Sequence, residues 1–258
     1  MLAALAVVLG ALYLLGGRRP VRVLDQRPRW SARRWRAVAF FTGLGLVVFL
    51  AGPVDGLARQ SFWARVAELM ILVMVVAPLL VLGSPRPRWR RLMGLRAHAD
   101  ASGLWLPGVA FLLFNGAILL AFVPAVYSVT AGPGWARELG QLAMVALGYL
   151  YWSQVIAQPP GHCRLSHLGR AAYLFLSSAQ LRILGVILGF ASASFYPVPL
   201  VDQQIAAGII MVPGVLTDLV VLTVCLYLWL GQDDRREVRR GDPGGRRLPT
   251  LGQRIAVR

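Results

Sequence analysis

The chain has 258 residues, of which 57% are hydrophobic and 15% are charged, with a mean hydropathy of +0.61. Soluble domains carry about a quarter charged residues, so this composition excludes an ordinary soluble enzyme and indicates an integral membrane protein. The net charge is +16, and all 27 basic residues are arginine. A chain without lysine is typical of a GC-rich bacterial genome, so we expect the protein in a bacterial plasma (inner) membrane.

Apolar segments follow one another along most of the chain, and crossing the hydrocarbon core takes about 20 apolar residues. Seven segments approach or exceed this length, so the sequence predicts an all-α, polytopic bundle of seven transmembrane helices. They are residues 1–16, 37–54, 66–83, 104–124, 138–157, 171–193 and 205–231. We interpret the first as a retained helix, because its arginines follow the apolar run and those of a cleavable signal peptide precede it.

The arginines are concentrated in alternate connections between these segments. Of the 27, 23 lie after the first, third, fifth and seventh predicted helices, and the remainder are Arg182 and three arginines assigned to the opposite connections, Arg59, Arg65 and Arg137. Because cytoplasmic loops are rich in arginine, we expect the N-terminus outside and the C-terminus in the cytoplasm. The same pattern favours a lipid bilayer over nucleic acid as the partner of the basic residues.

Residues 1–231 therefore form the predicted seven-helix transmembrane domain. Residues 232–258 form a basic tail without apolar periodicity, which we expect to be disordered and cytoplasmic. The two cysteines are too few for a disulfide framework.

Three ionisable residues stand out within the predicted helices, where each costs at least about 2.5–3.5 kcal/mol. Arg182 and Asp218 lie about halfway along the antiparallel sixth and seventh helices. We predict that they form an intramembrane ion pair that fixes the helix register, with a proton or ion relay as the alternative. Glu68 lies near the outer end of the third helix, where we expect it to reach the interface.

Methionines supply a candidate set of metal ligands. Met70 and Met74 are spaced i, i+4 on the third helix, so they share a face, and Met211 lies near the outer end of the seventh. Thioethers suit Cu(I), but methionines at helical spacing more often fill a core. Packing is the preferred interpretation, and copper is the cofactor that this set could hold.

Catalytic signatures are missing from the sequence: it contains no nucleophile–base pair, phosphate loop or zinc motif. We therefore expect no enzyme activity. The polar run Asp202-Gln203-Gln204 lies just before the seventh predicted helix. We expect it either to cap that helix or to line an outer cavity, since an aspartate at a helix N-terminus is electrostatically favourable.

Several short motifs, in order along the chain, resemble the CtaG-type cytochrome c oxidase assembly factors. They are Gly52–Ala58, Ala77–Pro85, Val123–Tyr127, Gly148–Trp152, Arg170–Leu176 and Asp202–Gly208, the last followed by Met211 and Pro213-Gly214. The resemblance covers most of residues 37–231. It implies a non-enzymatic membrane protein of the respiratory chain that contributes to the copper centre of an oxidase.

The chain departs from this family in its histidines. The resemblance implies histidines near the outer ends of the third, fourth and fifth helices, and none is kept. Those positions hold Arg65, Leu69, Phe122 (beside Ala121), Arg137 and Gln141. Arginine cannot replace neutral imidazole as a ligand of a cation, so copper handling is expected to be weakened or lost.

The resemblance thus implies a scaffold that holds an oxidase subunit or another assembly factor. The residues expected to form its partner or ligand surface at outer depth are Asp55, Glu68, Asp202, Gln203 and Gln204, with Met70 and Met211 nearby. The alternative is a membrane transporter or channel for copper, protons or a small ion. Glu68, Arg182 and Asp218 would then line its pathway, and the helix interruptions at Pro78 and Pro213-Gly214 favour this reading.

Overall fold

The computed structural model describes residues 10–11, 30–83, 105–132, 134–156, 165, 167–216, 219 and 223. Within these ranges the chain is helical and contains no strand, so the all-α prediction is confirmed. The helices are α1 Trp30–Phe49, α2 Asp55–Gln60, α3 Phe62–Ile71, α4 Ala77–Gly83, α5 Trp105–Ala121, α6 Pro124–Ala131, α7 Trp135–Val155, α8 His167–Gly189 and α9 Leu200–Leu216. They all belong to one compact unit, Met1–Asp218.

Three helical stretches in the described ranges are long and apolar enough to cross a membrane: Arg34–Gln60, Phe62–Gly83 and Gly169–Gly189. The bent pair Leu106–Ala121 and Pro124–Ala131 makes a fourth if it is one span. The helix α7 is 21 residues long but carries several polar residues. Large apolar side chains such as Leu112 and Ile183 are exposed on outer faces, 70% and 62% respectively, as lipid-facing residues are.

Other parts of the predicted topology lie outside the described residues. These are the first predicted helix, apart from residues 10–11, much of the C-terminal half of the seventh and the whole tail 232–258. The seven-span count, the orientation of the termini and the boundary between domain and tail therefore stay predictions.

Each of the first two candidate spans consists of two α-helices joined by a π-helical turn. A π-helical turn, Leu50–Val54, connects α1 to α2 and contains Pro53, and a second, Leu72–Val76, connects α3 to α4. Proline lacks the N–H that a continuous α-helical ladder needs, and π turns often occur at functional sites. The indole of Trp152 donates to the carbonyl of Val73, at 2.8 Å, and so satisfies a backbone oxygen of the second π turn.

A sharp bend of 75° separates α5 from α6. Pro124 occupies the start of α6, and Val123 before it is extended, with φ −71° and ψ 125°. A residue before proline is sterically pushed out of the helical region, so this dipeptide ends α5 and redirects the chain. The bend allows α6 to lie across the end of α3 and α7 instead of continuing α5.

The core is built from aromatic and aliphatic side chains of α3, α5, α7, α8 and α9. The rings of Phe114, Tyr151 and Tyr173 stack in series, with centroids 4.2 and 4.7 Å apart. Beside them, the hydroxyl of Ser177 donates to the side-chain oxygen of Asn115, at 2.7 Å, and links α5 to α8. Buried polar groups in a membrane bundle need such partners.

Close helix packing at Gly83 generates a first prediction. A methyl group on Gly83 would lie 2.5 Å from Cβ of Phe40 and 2.6 Å from its backbone nitrogen, whereas one on Gly45 would meet no atom within 4 Å. Overpacking of this kind costs roughly 1–3 kcal/mol. We expect Gly83→Ala to lower the melting temperature of the detergent-purified protein and Gly45→Ala to leave it unchanged or higher. Equal melting temperatures for the two variants would contradict the close contact of α1 with α4.

Candidate functional site

The N-terminus of α3 is capped by a residue that is distant in sequence. Ser61 is extended before α3 and makes no side-chain cap. The carboxylate of Asp202, on α9, accepts a hydrogen bond from the backbone N–H of Phe62 at 2.8 Å. A carboxylate at this position accepts a hydrogen bond from a backbone amide that has no partner within the helix. Its negative charge is also favoured by the helix dipole. Asp202 thus ties the first turn of α9 to the first turn of α3.

The loop between α8 and α9 is held against the same region. The Gln203 side chain is fully buried. It donates to the carbonyl of Leu188 at 2.9 Å and accepts from the N–H of Phe195 at 2.8 Å. The hydroxyl of Tyr196 donates to the carbonyl of Phe122 at 2.6 Å. Burial, and secondarily the neighbouring Tyr127, raises the pKa of the Tyr196 phenol to about 12, so this donor keeps its proton at physiological pH.

Two carboxylates converge on one buried guanidinium. Arg137 of α7 donates from Nε to Asp55 at 2.8 Å and from Nη2 to Glu68 at 2.7 Å. The Arg137 and Glu68 side chains are only 4% and 2% exposed. The carboxamide of Gln141, one turn further along α7, donates to the other oxygen of Glu68, and Arg59 pairs with Asp55 at the surface. The network joins α2, α3 and α7.

The start of α7 brings Arg137 to these carboxylates. Gly134, just before the helix, has φ 142°, a conformation that residues with a side chain rarely adopt. Arg137 and Gln141 are then spaced i, i+4, so both face Glu68.

A second arginine, Arg65, lies one turn before Glu68 on α3. Its Nη2 donates to the hydroxyl of Thr130 on α6 at 2.6 Å, and its guanidinium carbon lies 4.9 Å from the centre of the Tyr127 ring. Its Nη1 is buried and has no hydrogen-bond partner. Thr130 is oriented for this contact because its own hydroxyl donates to the carbonyl of Val126.

These side chains line a cavity of about 220 Å³ between α3, α5, α6 and α7. Its polar wall comprises Arg65, Glu68, Tyr127, Thr130, Arg137 and Gln141, and the other lining residues are mostly apolar. All the positions to which the resemblance assigns the family's histidines are in the wall: Arg65, Leu69, Ala121 with Phe122, Arg137 and Gln141. The five positions come from α3, from α7 and from the junction of α5 with the bend that follows it, and the fold brings them together.

The structure also shows where the predicted surface residues lie. Asp55 and Glu68 are joined through Arg137, and Asp202 lies at the N-terminus of α3. Gln203 is buried, whereas Gln204 is exposed.

Three details of the sequence reading are wrong. Glu68 does not reach the interface, because it is buried in an ion pair with Arg137. Arg65 and Arg137 belong to α3 and α7 and not to connections. The run from Asp202 lies inside α9, which begins at Leu200, so Asp202 caps α3 and not its own helix. In each case a partner on another helix determines the position, and periodicity does not reveal it.

The methionines do not form an evident metal site. Met70 is 3% exposed in the apolar core, and Met74, inside the π turn, packs against the same core. Met211 lies beside Gly185. Within the described ranges, no group of three or more His, Cys, Asp or Glu residues could hold a metal ion. Copper binding by the methionines stays a prediction.

The intramembrane ion pair also stays a prediction, because Asp218 lies outside the described residues. The guanidinium of Arg182 lies 5.5 Å from the centre of the Phe175 ring, two helix turns away.

Sequence reasoning did not select Arg65, Thr130, Tyr127, Arg137 and Gln141 as site residues. A signal was available in the spacing: Arg65 and Glu68 are i, i+3, and Arg137 and Gln141 are i, i+4, each at the start of an apolar helix. Opposite charges at the ends of neighbouring helices favour an interhelical pair.

The fold and the site together define a helical membrane protein with a charge-paired cavity near one end of its bundle. The sequence model of the cytochrome c oxidase caa3 assembly factor family matches residues 11–232. Because this match covers most of the chain, the protein belongs to that family.

Similar curated proteins are known from mycobacteria. An uncharacterised protein of Mycobacterium leprae is 27% identical over 93% of this chain and 40% of its own length. Uncharacterised proteins of Mycobacterium bovis and Mycobacterium tuberculosis are each 27% identical over 80% of this chain and 36% of their own lengths. The chain thus spans two fifths or less of the curated relatives it matches. No solved structure matches it.

The buried pair generates a second prediction. Removing one partner of a buried ion pair costs about 3–5 kcal/mol, because the other charge is left without compensation. We expect Arg137→Met to lower the melting temperature strongly and Arg137→Met with Glu68→Gln to recover part of the loss. Arg59→Gln is the control, since Arg59 is 48% exposed and such surface pairs contribute about 0–1 kcal/mol. A double variant no more stable than Arg137→Met would show that Glu68 does not carry the uncompensated charge.

Proposed function

We propose that the protein is a membrane-embedded, non-enzymatic factor in the assembly of a haem–copper cytochrome c oxidase. It acts in a bacterial inner membrane with seven spans, an outside N-terminus and a cytoplasmic C-terminus. Its role is that of a scaffold, which holds an oxidase subunit or another assembly factor. The family match over residues 11–232 supports the assembly role.

The chemistry of the cavity wall favours a scaffold over a copper carrier. The positions implied to hold histidines in the family are gathered around one cavity, and here they present two guanidiniums, a carboxamide and apolar side chains. A guanidinium donates five N–H bonds, has no lone pair for a metal and repels a cation. Arg137 also occupies the one carboxylate in the wall, Glu68, which could otherwise have attracted copper.

The partner surface that we propose surrounds this network. Asp55 has a side chain 18% exposed, Asp202 is half-buried and Gln204 is exposed, so these residues can be reached by a partner. Glu68 and Gln203 are buried and contribute by holding α3 and the loop before α9 in place. A polar rim beside an apolar bundle suits a second membrane protein, whose exposed edge would supply complementary donors.

A deletion of the gene tests the assembly role. We expect cells without the gene to lose the oxidase signal in the reduced-minus-oxidised haem spectrum of their membranes, and added copper not to restore it, because the scaffold and not the metal is missing. The copper content of the same membranes is measured in parallel. Restoration by added copper would instead indicate a copper handler. An unchanged spectrum would contradict the assembly role and favour the transporter.

Complementation of the deletion strain with methionine variants distinguishes the role of a scaffold from that of a copper carrier. Met70→Leu, Met74→Leu and Met211→Leu combined keep side-chain volume, which buried positions tolerate well, and remove every thioether of the candidate set. We expect this triple variant to restore the oxidase signal fully in copper-limited cells. A signal that returns only when copper is added would contradict the scaffold and assign copper handling to the thioethers. Immunoblots of the membrane fraction control for expression.

A further inference from the structure

Arg65 makes no salt bridge with the side chains that the structure describes. Both carboxylates of the network are bound to Arg137, and no carboxylate among the described residues lies within salt-bridge distance of Arg65. Its partners are the neutral hydroxyl of Thr130 and the Tyr127 ring, and its Nη1 is buried without a partner. A desolvated guanidinium nitrogen is costly unless a hydrogen-bond acceptor reaches it.

Arg65 is also one of the residues that line the cavity. Across the whole network, three arginines (Arg59, Arg65 and Arg137) face two carboxylates (Asp55 and Glu68), which leaves one formal positive charge. A ligand with a single negative charge would complete the balance. A guanidinium fork matches the two oxygens of a carboxylate in particular.

The rest of the wall is mostly apolar and would contact the uncharged end of the ligand. Apolar residues of α3, α5 and α7 face the cavity, including Val66, Leu69, Leu120, Ala121 and Met144. They would remove an aliphatic chain from water, and each buried CH₂ group contributes about 0.8 kcal/mol. A volume of about 220 Å³ accommodates a small organic molecule.

We propose that this cavity binds an organic monoanion, with a carboxylate on Arg65 and a short aliphatic chain along the apolar wall. The site stands on the geometry of the cavity and is independent of the assembly role. It is a binding site and includes no chemical step. Thr130 and Tyr127 are positioning residues, because they hold the Arg65 guanidinium at the cavity wall.

Radiolabelled octanoate is the probe, and equilibrium dialysis of the full chain in dodecyl maltoside measures its binding. We expect saturable binding that unlabelled octanoate displaces. Octanol has the same chain without the charge, and chloride has the charge without the chain, so neither should compete at equal concentration. Competition by octanol would overturn the role of Arg65. Displacement by phosphatidylglycerol in mixed micelles would overturn the carboxylate assignment in favour of a lipid phosphodiester.

Variants locate the binding in the cavity. We expect Arg65→Gln to weaken octanoate binding at least tenfold, as loss of a charge-assisted hydrogen bond does, and Arg65→Lys to weaken it less. Ala121→Phe fills the cavity without touching the charge and should also abolish binding, so the result does not depend on one variant folding. Arg59→Gln removes an exposed arginine and is the matched control. Unchanged binding in both Arg65→Gln and Ala121→Phe, with melting temperatures like that of the parent protein, would overturn the proposal.

Discussion

The Arg137 guanidinium bridges the carboxylates of Asp55 and Glu68, and this end of the bundle depends on that interaction. It places one cation between two carboxylates from separate helical elements, with Arg137 and Glu68 almost wholly removed from solvent. Buried charges are tolerated only when they are paired and hydrogen-bonded, and here both conditions are met, since Gln141 also binds Glu68. The positions of α2, α3 and α7 are therefore coupled, and the cavity beside them has a defined wall.

Interruptions of the helices make this convergence geometrically feasible. The π turn that contains Pro53 leads the chain from α1 into α2, and the bend at Pro124 turns α6 towards α3. A continuous helix through Pro124 would carry Thr130 away from its partner Arg65. The bend at Pro124 thus directs the Thr130 side chain towards Arg65.

The helical class and the approximate positions of most of the described helices followed from apolar segments and arginine-rich connections, because hydropathy reports directly on burial in lipid. The site was harder to predict. Asp55 and Asp202 were singled out through a family resemblance, but their partners, Arg137 and the amide of Phe62, are 82 and 140 residues away. Long-range pairing of this kind leaves no periodic signal in one sequence. Glu68 shows the same limit: its position at a helix end favoured the interface, and its burial depends on an arginine from another helix.

The cap that Asp202 places on α3 has a consequence for the order of biosynthesis. The carboxylate and the amide that it satisfies are separated by 140 residues, so α3 emerges from the ribosome long before its cap exists. A buried amide without a partner is costly, and until α9 is made the Phe62 N–H must bond to water or to another protein. The cap of α3 is thus completed only when α9, the last described helix, has been made.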